Sequence, residues 1–147
     1  MLDPRTLTGL EIAALVPHQG AMCLWQRLLA ADADSVTVAT HSHRAADNPL
    51  RSDGRLRAVH LAEFGAQAMA VHGGLLVLAS GAPVRQGFLV ALRGVALQVA
   101  RIDDLAGELT GHAELLIQGG DSQQYAFRIE HAGEVIAEGR AAVMLQD

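Results

Sequence analysis

Apolar residues dominate one long stretch of the chain, residues 58–79, and they would surround nearly the whole circumference of a helix. The stretch contains no proline, so nothing in it interrupts a helix. At 100° per residue, His60, Glu63 and Gln67 fall within about 60° of one another and share one narrow polar stripe. The pattern therefore predicts one long helix, buried on most sides, that forms the core.

Glu63 is the acidic member of this polar stripe. Burying an unpaired carboxylate costs about several kcal/mol, so Glu63 must be paired, protonated or open to a cleft. Only a cleft would indicate chemistry. The alternative is that an arginine or backbone donors hold Glu63 for structural reasons, and spacing alone leaves both interpretations open.

Alternation of apolar and polar residues predicts strands on both sides of the helix. A short helix over residues 10–15 should come first, with Thr8 and Glu11 as a capping box and Pro17 after its end. The predicted strands cover residues 26–31, 35–43, 87–101, 108–118, 123–130 and 135–145. The strand over 87–101 is apolar on both faces, which predicts a central position. The order predicts an α+β fold in which residues 1–147 form a single domain and an antiparallel meander follows the helix.

Composition narrows the possible functions. All 11 basic residues are arginine, which excludes a lysine Schiff base, and the net charge of −5 argues against a nucleic-acid partner. The apolar stretch is judged too short and too interrupted by glycine to span a membrane, and no signal pattern precedes it, so we expect a cytoplasmic protein. The single cysteine, Cys23, lies in an apolar segment and is interpreted as a packing residue. No nucleotide-binding motif is present, and we expect no cofactor.

Three segments resemble motifs of a known family. The segments L-V-P-H and L-W-Q-R-L-L near the start resemble the L-P-H and L-x-D-R-x-L motifs of beta-hydroxyacyl-acyl-carrier-protein dehydratases, and E-F-G-A-Q on the helix resembles their E-A-M-A-Q. The resemblance runs essentially from end to end. It implies the hot-dog fold, in which a curved antiparallel sheet wraps a long central helix. The segments S-H-R, N-P-L-R and G-R-L further resemble a branch of these proteins from aryl-polyene-type pathways.

The resemblance also implies a site. In this family a helix carboxylate, here Glu63, works with a histidine fourteen residues earlier, and that position is Pro49 in this chain. The usual histidine is therefore missing. The residues that the resemblance and the polar stripe place in substrate binding are His18, Asn48, Arg51, Arg57, Ala58, His60 and Gln67.

Dehydration of a 3-hydroxyacyl thioester needs a base for the α-proton and an acid for the leaving hydroxyl. Glu63 could be the acid and a neutral histidine the base. His43, predicted at the end of the second strand beside the loop over 44–57, is the first candidate, ahead of His60, His18 and His41. The other three histidines, predicted to be surface or strand residues, are His72, His112 and His131. A metal is not expected, because His60 and Glu63 lack a third ligand at useful spacing.

Three functions remain open. The chain could be a 3-hydroxyacyl-thioester dehydratase, a weakly active or inactive subunit paired with an active one, or a thioesterase in which Glu63 activates water. The substrate would be carried by acyl carrier protein or coenzyme A, and the protein would be a homodimer or a heterodimer with a related hot-dog subunit. Arg51, Arg55 and Arg57 precede the helix N-terminus and are predicted to receive the anionic carrier.

Overall fold

In the computed structural model, which describes residues 12–81 and 85–146, one long helix lies against a six-stranded antiparallel sheet. The predicted α+β arrangement is therefore confirmed. In chain order, the elements are β1 (Arg27–Ala31), β2 (Ser35–Thr40), α1 (Leu61–Ser80), β3 (Gln86–Leu97), β4 (Leu109–Gln118), β5 (Ser122–His131) and β6 (Glu134–Gln146). Short 3-10 turns cover Ile12–Ala14, Gly20–Met22, Ser42–Arg44 and Ala58–His60.

The predicted helix is present with nearly the predicted ends. The 3-10 turn Ala58–His60 runs directly into α1, and Gly81 ends the helix with a φ of 67°, donating its N–H to the carbonyl of Val77. Most of α1 faces the sheet. One stripe does not, since Val59 is 61% exposed and Ala62, Glu63 and Ala66 are half-buried. Within the described chain, the sheet and residues 12–25 together cover most of the rest of α1, and only its last turn is otherwise exposed.

The strands are ordered β1-β2-β4-β5-β6-β3 across the sheet. The meander β4-β5-β6 is as predicted, but the prediction that residues 87–101 form a central strand is wrong. Strand β3 lies at the edge and pairs with β6 alone. Among residues 12–81 and 85–146, little covers the apolar side chains of β3, and almost all of the strand is exposed. Strand β3, whose sequence is apolar on both faces, is therefore an edge strand within the described chain.

Two other predictions change with the structure. Strand β2 ends at Thr40, so His43 lies in the 3-10 turn Ser42–Arg44 and not on a strand. In the predicted N-terminal helix, Ile12–Ala14 is a 3-10 turn. The capping box of Thr8 and Glu11 lies outside the described residues.

Glycines let two aromatic side chains fill the space between helix and sheet. A Cβ atom on Gly65 of α1 would lie 2.4 Å from Cδ1 of Phe127, and one on Gly111 of β4 would lie 2.5 Å from Cη2 of Trp25. Gly139 is similarly close to the other edge of the Phe127 ring, at 2.9 Å from Cε2. These two aromatic rings therefore pack in the core directly against the backbone of glycines, where no side chain intervenes.

His72 was predicted to be a surface or strand residue, and this is wrong. It lies on α1, fully buried, with its Nδ1 2.8 Å from the hydroxyl of Tyr125 and its Nε2 3.1 Å from the carbonyl of Asp32. A carbonyl can only accept, so Nε2 carries the proton and Tyr125 donates to Nδ1. The neutral ring thus joins the helix to β5 and to the β1–β2 turn.

The segment Ala58–Ser80 has a mean hydropathy of 1.3 and is long and apolar enough to cross a membrane by length and composition. The sequence argument that the segment is too short therefore fails. Half of its apolar window is buried inside the protein, as in the core helix of a folded domain. Because α1 is buried against the sheet, we interpret it as the core helix of a folded domain.

The contact between Gly65 and Phe127 can be tested with two alanine substitutions on one helix. Gly65→Ala forces a methyl group into the Phe127 ring, whereas Gly73 has nothing within 4 Å of its Cβ position. Both changes gain about 1 kcal/mol of helix propensity, and overpacking costs about 1–3 kcal/mol. In urea unfolding, we expect Gly65→Ala to be less stable than Gly73→Ala by about 1–3 kcal/mol. Equal free energies of unfolding would show that the ring moves aside freely.

The buried His72 should make stability depend on pH. Burial lowers the pKa of His72 below its ordinary value, although the Asp32 carbonyl and the charges of Asp32 and Asp34 partly oppose this. The unfolded chain then binds the proton more readily, so this contribution is complete above about pH 6.5 and is lost as the pH falls toward the folded-state pKa. We expect His72→Phe to have a shallower loss of unfolding free energy between pH 7 and pH 5 than the wild type. Equal losses of unfolding free energy between pH 7 and pH 5 in the wild type and His72→Phe would contradict this.

Candidate functional site

The loop before α1 is held by two polar side chains that were predicted to bind substrate. The Arg51 guanidinium donates to the carbonyls of Ala45 at 2.7 Å and Gly54 at 3.2 Å. The buried Asn48 donates to the carbonyl of Ser42 at 3.0 Å and accepts from the N–H of Leu50 at 2.9 Å. Both side chains are thus engaged in shaping the loop.

The start of the helix is anchored from the other side by the segment after β3. The N–H of Ala58 donates to the carbonyl of Ala100 at 3.0 Å, so this predicted substrate donor is already used. The N–H of Leu56 donates to Asp103 at 2.9 Å. The Arg101 guanidinium hydrogen-bonds Asp103 and holds the pKa of that carboxyl well below its usual range, which keeps it an acceptor. The helix N-terminus is therefore fixed in position.

Glu63 lies in the first turn of α1, on the exposed stripe of the helix, with 37% of its side chain accessible. Its Oε1 accepts from the Gln67 amide at 3.1 Å and lies 3.7 Å from Nε2 of His18. Its Oε2 has no hydrogen-bond partner among the described residues. The carboxylate is thus held through one oxygen by a side-chain amide, and neither an arginine nor a backbone donor contacts it among the described residues.

His18 is the histidine that the structure brings to Glu63. It was predicted to bind substrate and was ranked below His43 as a base. Its side chain is 29% exposed, and its Nδ1 is buried without a hydrogen-bond partner among the described residues. The sequence signal that could have found this contact is the L-V-P-H motif, whose last residue is His18.

His43, the predicted catalytic histidine, occupies a different environment. It is fully buried, and its Nε2 donates to the carbonyl of Leu105 at 2.9 Å. Burial lowers its pKa below the ordinary value, the Leu105 hydrogen bond partly opposing this, so the neutral ring is favoured. Its Nδ1 has no partner in the described chain. No hydrogen bond or ion pair joins His43 to Glu63, and its catalytic role stays a prediction.

The remaining predicted residues lie around the helix start. His60 is half-buried in the turn that leads into α1, and Arg57 is exposed beside it. Gln67 is 1% exposed and contacts both Glu63 and the segment that follows His18. The half-buried Cys23 packs against the core, as predicted. Within residues 12–81 and 85–146, no group of three histidine, cysteine, aspartate or glutamate side chains could hold a metal ion.

A groove of about 630 Å³ lies away from these residues, on the face of the sheet opposite the helix. It is lined by charges of both signs, including Arg93, Arg128, Arg140, Glu114 and Glu138. Adjacent residues on a strand point to opposite faces, and Phe127 faces α1, so Arg128 points away from Glu63. Mixed charges are typical of a solvated sheet face. We therefore place the candidate site at Glu63 and not in the groove.

Solved structures with the same fold include dehydratases and thioesterases. The dehydratase heterocomplex ApeI:P from Xenorhabdus doucetiae aligns with a TM-score of 0.84 at 22% identity, covering 94% of this chain and 92% of that one. AziG from S. sahachiroi aligns with a TM-score of 0.61 at 14% identity, covering 82% and 90%. A mutant of the thioesterase SAV0944 from Staphylococcus aureus aligns with a TM-score of 0.55 at 15% identity, covering 90% and 92%. These similarities confirm the hot-dog fold.

Sequence comparison gives the family. No curated protein sequence matches the chain. A model of the ApeP-like family, described as ApeP dehydratase, matches residues 10–147. The match includes the helix with Glu63, the segment with His18 and all six strands, and it confirms the resemblance to dehydratases. The chain belongs to the ApeP-like dehydratase family.

Proposed function

We propose that this chain is a subunit of a dehydratase that removes water from 3-hydroxyacyl thioesters, in fatty-acid or polyene biosynthesis. The observation that carries the proposal is the arrangement of Glu63. Its carboxylate is fixed by Gln67 through Oε1, has His18 at 3.7 Å, and leaves Oε2 open. A fixed carboxylate beside an imidazole on the open stripe of a core helix supplies the two proton carriers that such a reaction needs.

On the carbon skeleton, the reaction breaks the Cα–H and Cβ–O bonds and forms one carbon–carbon double bond, while one proton moves to the base and another moves from the acid to the departing oxygen. A base takes the proton from the α-carbon, the bond from the β-carbon to the hydroxyl oxygen breaks, and the electron pair left on the α-carbon forms the double bond. The departing oxygen must receive a proton to leave as water. Glu63 and His18 divide these two transfers, one accepting the α-proton and the other delivering a proton to the hydroxyl. The 3.7 Å between them is bridged by the substrate hydroxyl or by water.

His18 fits this role better than His43. The His43 ring is completely buried and its one donor is used by Leu105, so a substrate would have to displace part of the core to reach it. His18 is partly exposed and already lies beside Glu63. A catalytic base must be within hydrogen-bond reach of the proton that it removes, and this favours the residue on the accessible side.

The exposed edge of the sheet supports a second subunit. Strand β3 carries six exposed apolar side chains along an edge that no other described strand pairs with: Phe88, Leu89, Val90, Leu92, Val95 and Leu97. An open, long, apolar edge strand aggregates unless another strand covers it. The similarity to a protein of the ApeI:P heterocomplex favours a different hot-dog subunit over a second copy of this chain. The partner would also complete the cover of the exposed helix stripe.

The carrier would dock beside the helix start. Arg55 and Arg57 are exposed there, without ion-pair partners among the described residues, and they offer positive charge to an acyl carrier protein or to the phosphates of coenzyme A. Arg51, predicted with them, is held by loop carbonyls and would act through the shape of the loop. We place the protein in the cytoplasm, which fits a core helix buried in the fold and a single half-buried thiol at Cys23.

The assignment is tested by three substitutions in the reconstituted pair of subunits. With 3-hydroxyacyl carrier protein as substrate and mass spectrometry of the product, Glu63→Gln and His18→Asn should each lower the rate by about 10²- to 10⁴-fold, because each removes a proton carrier. His43→Asn should keep the rate per folded protein within about tenfold. If His43→Asn lowers the rate and His18→Asn does not, the catalytic base is His43 and not His18.

The products separate the alternative functions. Loss of 18 Da from the acyl chain indicates dehydration, whereas release of the free acid and the carrier thiol indicates a thioesterase. If the pair is active and remains equally active with Glu63→Gln, the chain is an inactive subunit that supports its partner. The proposal requires dehydration that depends on Glu63 of this chain.

The subunit contact is tested by two glutamate substitutions with matched exposure. Val90 on β3 is 57% exposed and Ile117 on β4 is 56% exposed, so both introduce a charge on an accessible strand without opening the core. We expect Val90→Glu to abolish association with the partner in sedimentation velocity, because the charge would be buried in the contact. Ile117→Glu should leave association unchanged. Equal behaviour of the two variants would remove β3 from the interface.

A further inference from the structure

We propose that Gln67 is a positioning residue, which aims the Glu63 carboxylate and fixes the segment that carries His18. The inference rests on the proposed function, because it assigns how the two proton carriers are held together. It differs from the sequence expectation that Gln67 binds substrate. One amide side chain thereby sets the relative position of residues that lie 45 positions apart in the chain.

The Gln67 amide has no donor left for a substrate. Its Nε2 donates to the carbonyl of Met22 at 2.8 Å and to Oε1 of Glu63 at 3.1 Å, which uses both N–H bonds. Its Oε1 accepts from the N–H of Leu24 at 2.9 Å. With 1% of the residue exposed, the remaining lone pair on Oε1 cannot be reached from outside. A substrate contact would therefore have to break a bond that the fold already makes.

Residues 22–25, which Gln67 binds through the backbone of Met22 and Leu24, are also held by hydrogen bonds from other residues. The carbonyl of Leu24 accepts from the hydroxyls of Thr40 and Ser42, both at 2.6 Å. The indole of Trp25 donates to the carbonyl of Phe64 on α1 at 2.8 Å. Residues 22–25 are thus fixed between the end of β2 and the helix. His18 lies four residues before Met22, so this anchor determines where its ring meets Glu63.

The Gln67 amide contacts only one of the two carboxylate oxygens of Glu63. Both fixed neighbours, the Gln67 amide and the His18 ring, lie on the Oε1 side. These two neighbours orient the carboxylate with Oε2 on the side away from Gln67 and His18. Exposed pairs four residues apart on a helix contribute only about 0.2–0.5 kcal/mol, so the importance of this pair lies in orientation and not in helix stability. Misplacing a catalytic group by about 1 Å can cost about 10²-fold in rate.

The experiment uses the reconstituted pair of subunits and three variants of this chain. Gln67→Met keeps the length of the side chain but removes all three hydrogen bonds. Gln67→Glu keeps an acceptor for the N–H of Leu24 and loses the donors to Glu63 and Met22. The matched control is Gln26→Met, since the Gln26 amide accepts from the N–H of His41 at 2.7 Å and makes no contact with Glu63.

We expect Gln67→Met to lower kcat by about 10- to 100-fold and to leave KM within about twofold, because orientation is lost and no substrate contact is removed. Gln67→Glu should lower kcat similarly while the Leu24 amide stays protected from hydrogen exchange. Gln26→Met should change neither. A raised KM with unchanged kcat in Gln67→Met would overturn the proposal and make Gln67 a substrate-binding residue.

Hydrogen exchange separates this inference from the proposed function. In Gln67→Met, the amides of residues 22–25 should exchange faster than in the wild type, whether or not the complex turns over substrate. Unchanged exchange there would overturn the anchoring role even in an active enzyme. If the wild-type complex is inactive, the proposed function fails, and the exchange result alone decides whether Gln67 holds the His18 segment. A Gln67→Met chain that does not fold is replaced by Gln67→Glu, whose kcat decides the orientation role.

Discussion

The rest of the structure depends on how closely the helix approaches the sheet at Gly65. With no side chain there, the Phe127 ring lies directly against the backbone of α1, and Gly139 gives room to the ring from the other side. This contact fixes the height of the helix above β5 and β6. The loop before the helix and the segment with His18 are then fitted around a helix that cannot move outward without leaving a void. The geometry at Glu63 follows from that packing.

The sequence predicts the helix and the strands well because each has a strong local pattern. It does not predict where β3 lies in the sheet. A strand that is apolar on both faces is expected between two neighbours, and the pattern carries no information on whether the second neighbour belongs to the same chain. The error over residues 87–101 is therefore informative. A strand with the composition of a central strand, placed at an edge, is the observation on which the proposed subunit contact rests.

The sequence predicts neighbours in the candidate site only where a local pattern brings them together. Helical periodicity predicts that Glu63 and Gln67 are neighbours, because it places them on one face of α1. The contact between Glu63 and His18 is not predicted in this way, because it depends on how residues 22–25 are anchored by side chains from three different elements. His43 is near the helix start in sequence, but the turn that follows β2 points its ring at the carbonyl of Leu105. Proximity along the chain therefore favoured His43, whereas the structure brings His18 to Glu63.

The two edges of the sheet are unlike, and this limits how far an assembly can grow. Strand β1 has five residues, an irregular register between Leu28 and Ala30, and a guanidinium at Arg27 paired with Glu108. Strand β3 has 12 residues and six exposed apolar side chains, although it also includes Arg93 and has an irregular register. The five-residue edge offers few backbone groups for further pairing, whereas the long apolar edge offers many. In the complex proposed above, each chain would add its neighbour at β3, and the short edge at β1 would end the sheet, which would keep the assembly from extending into fibres.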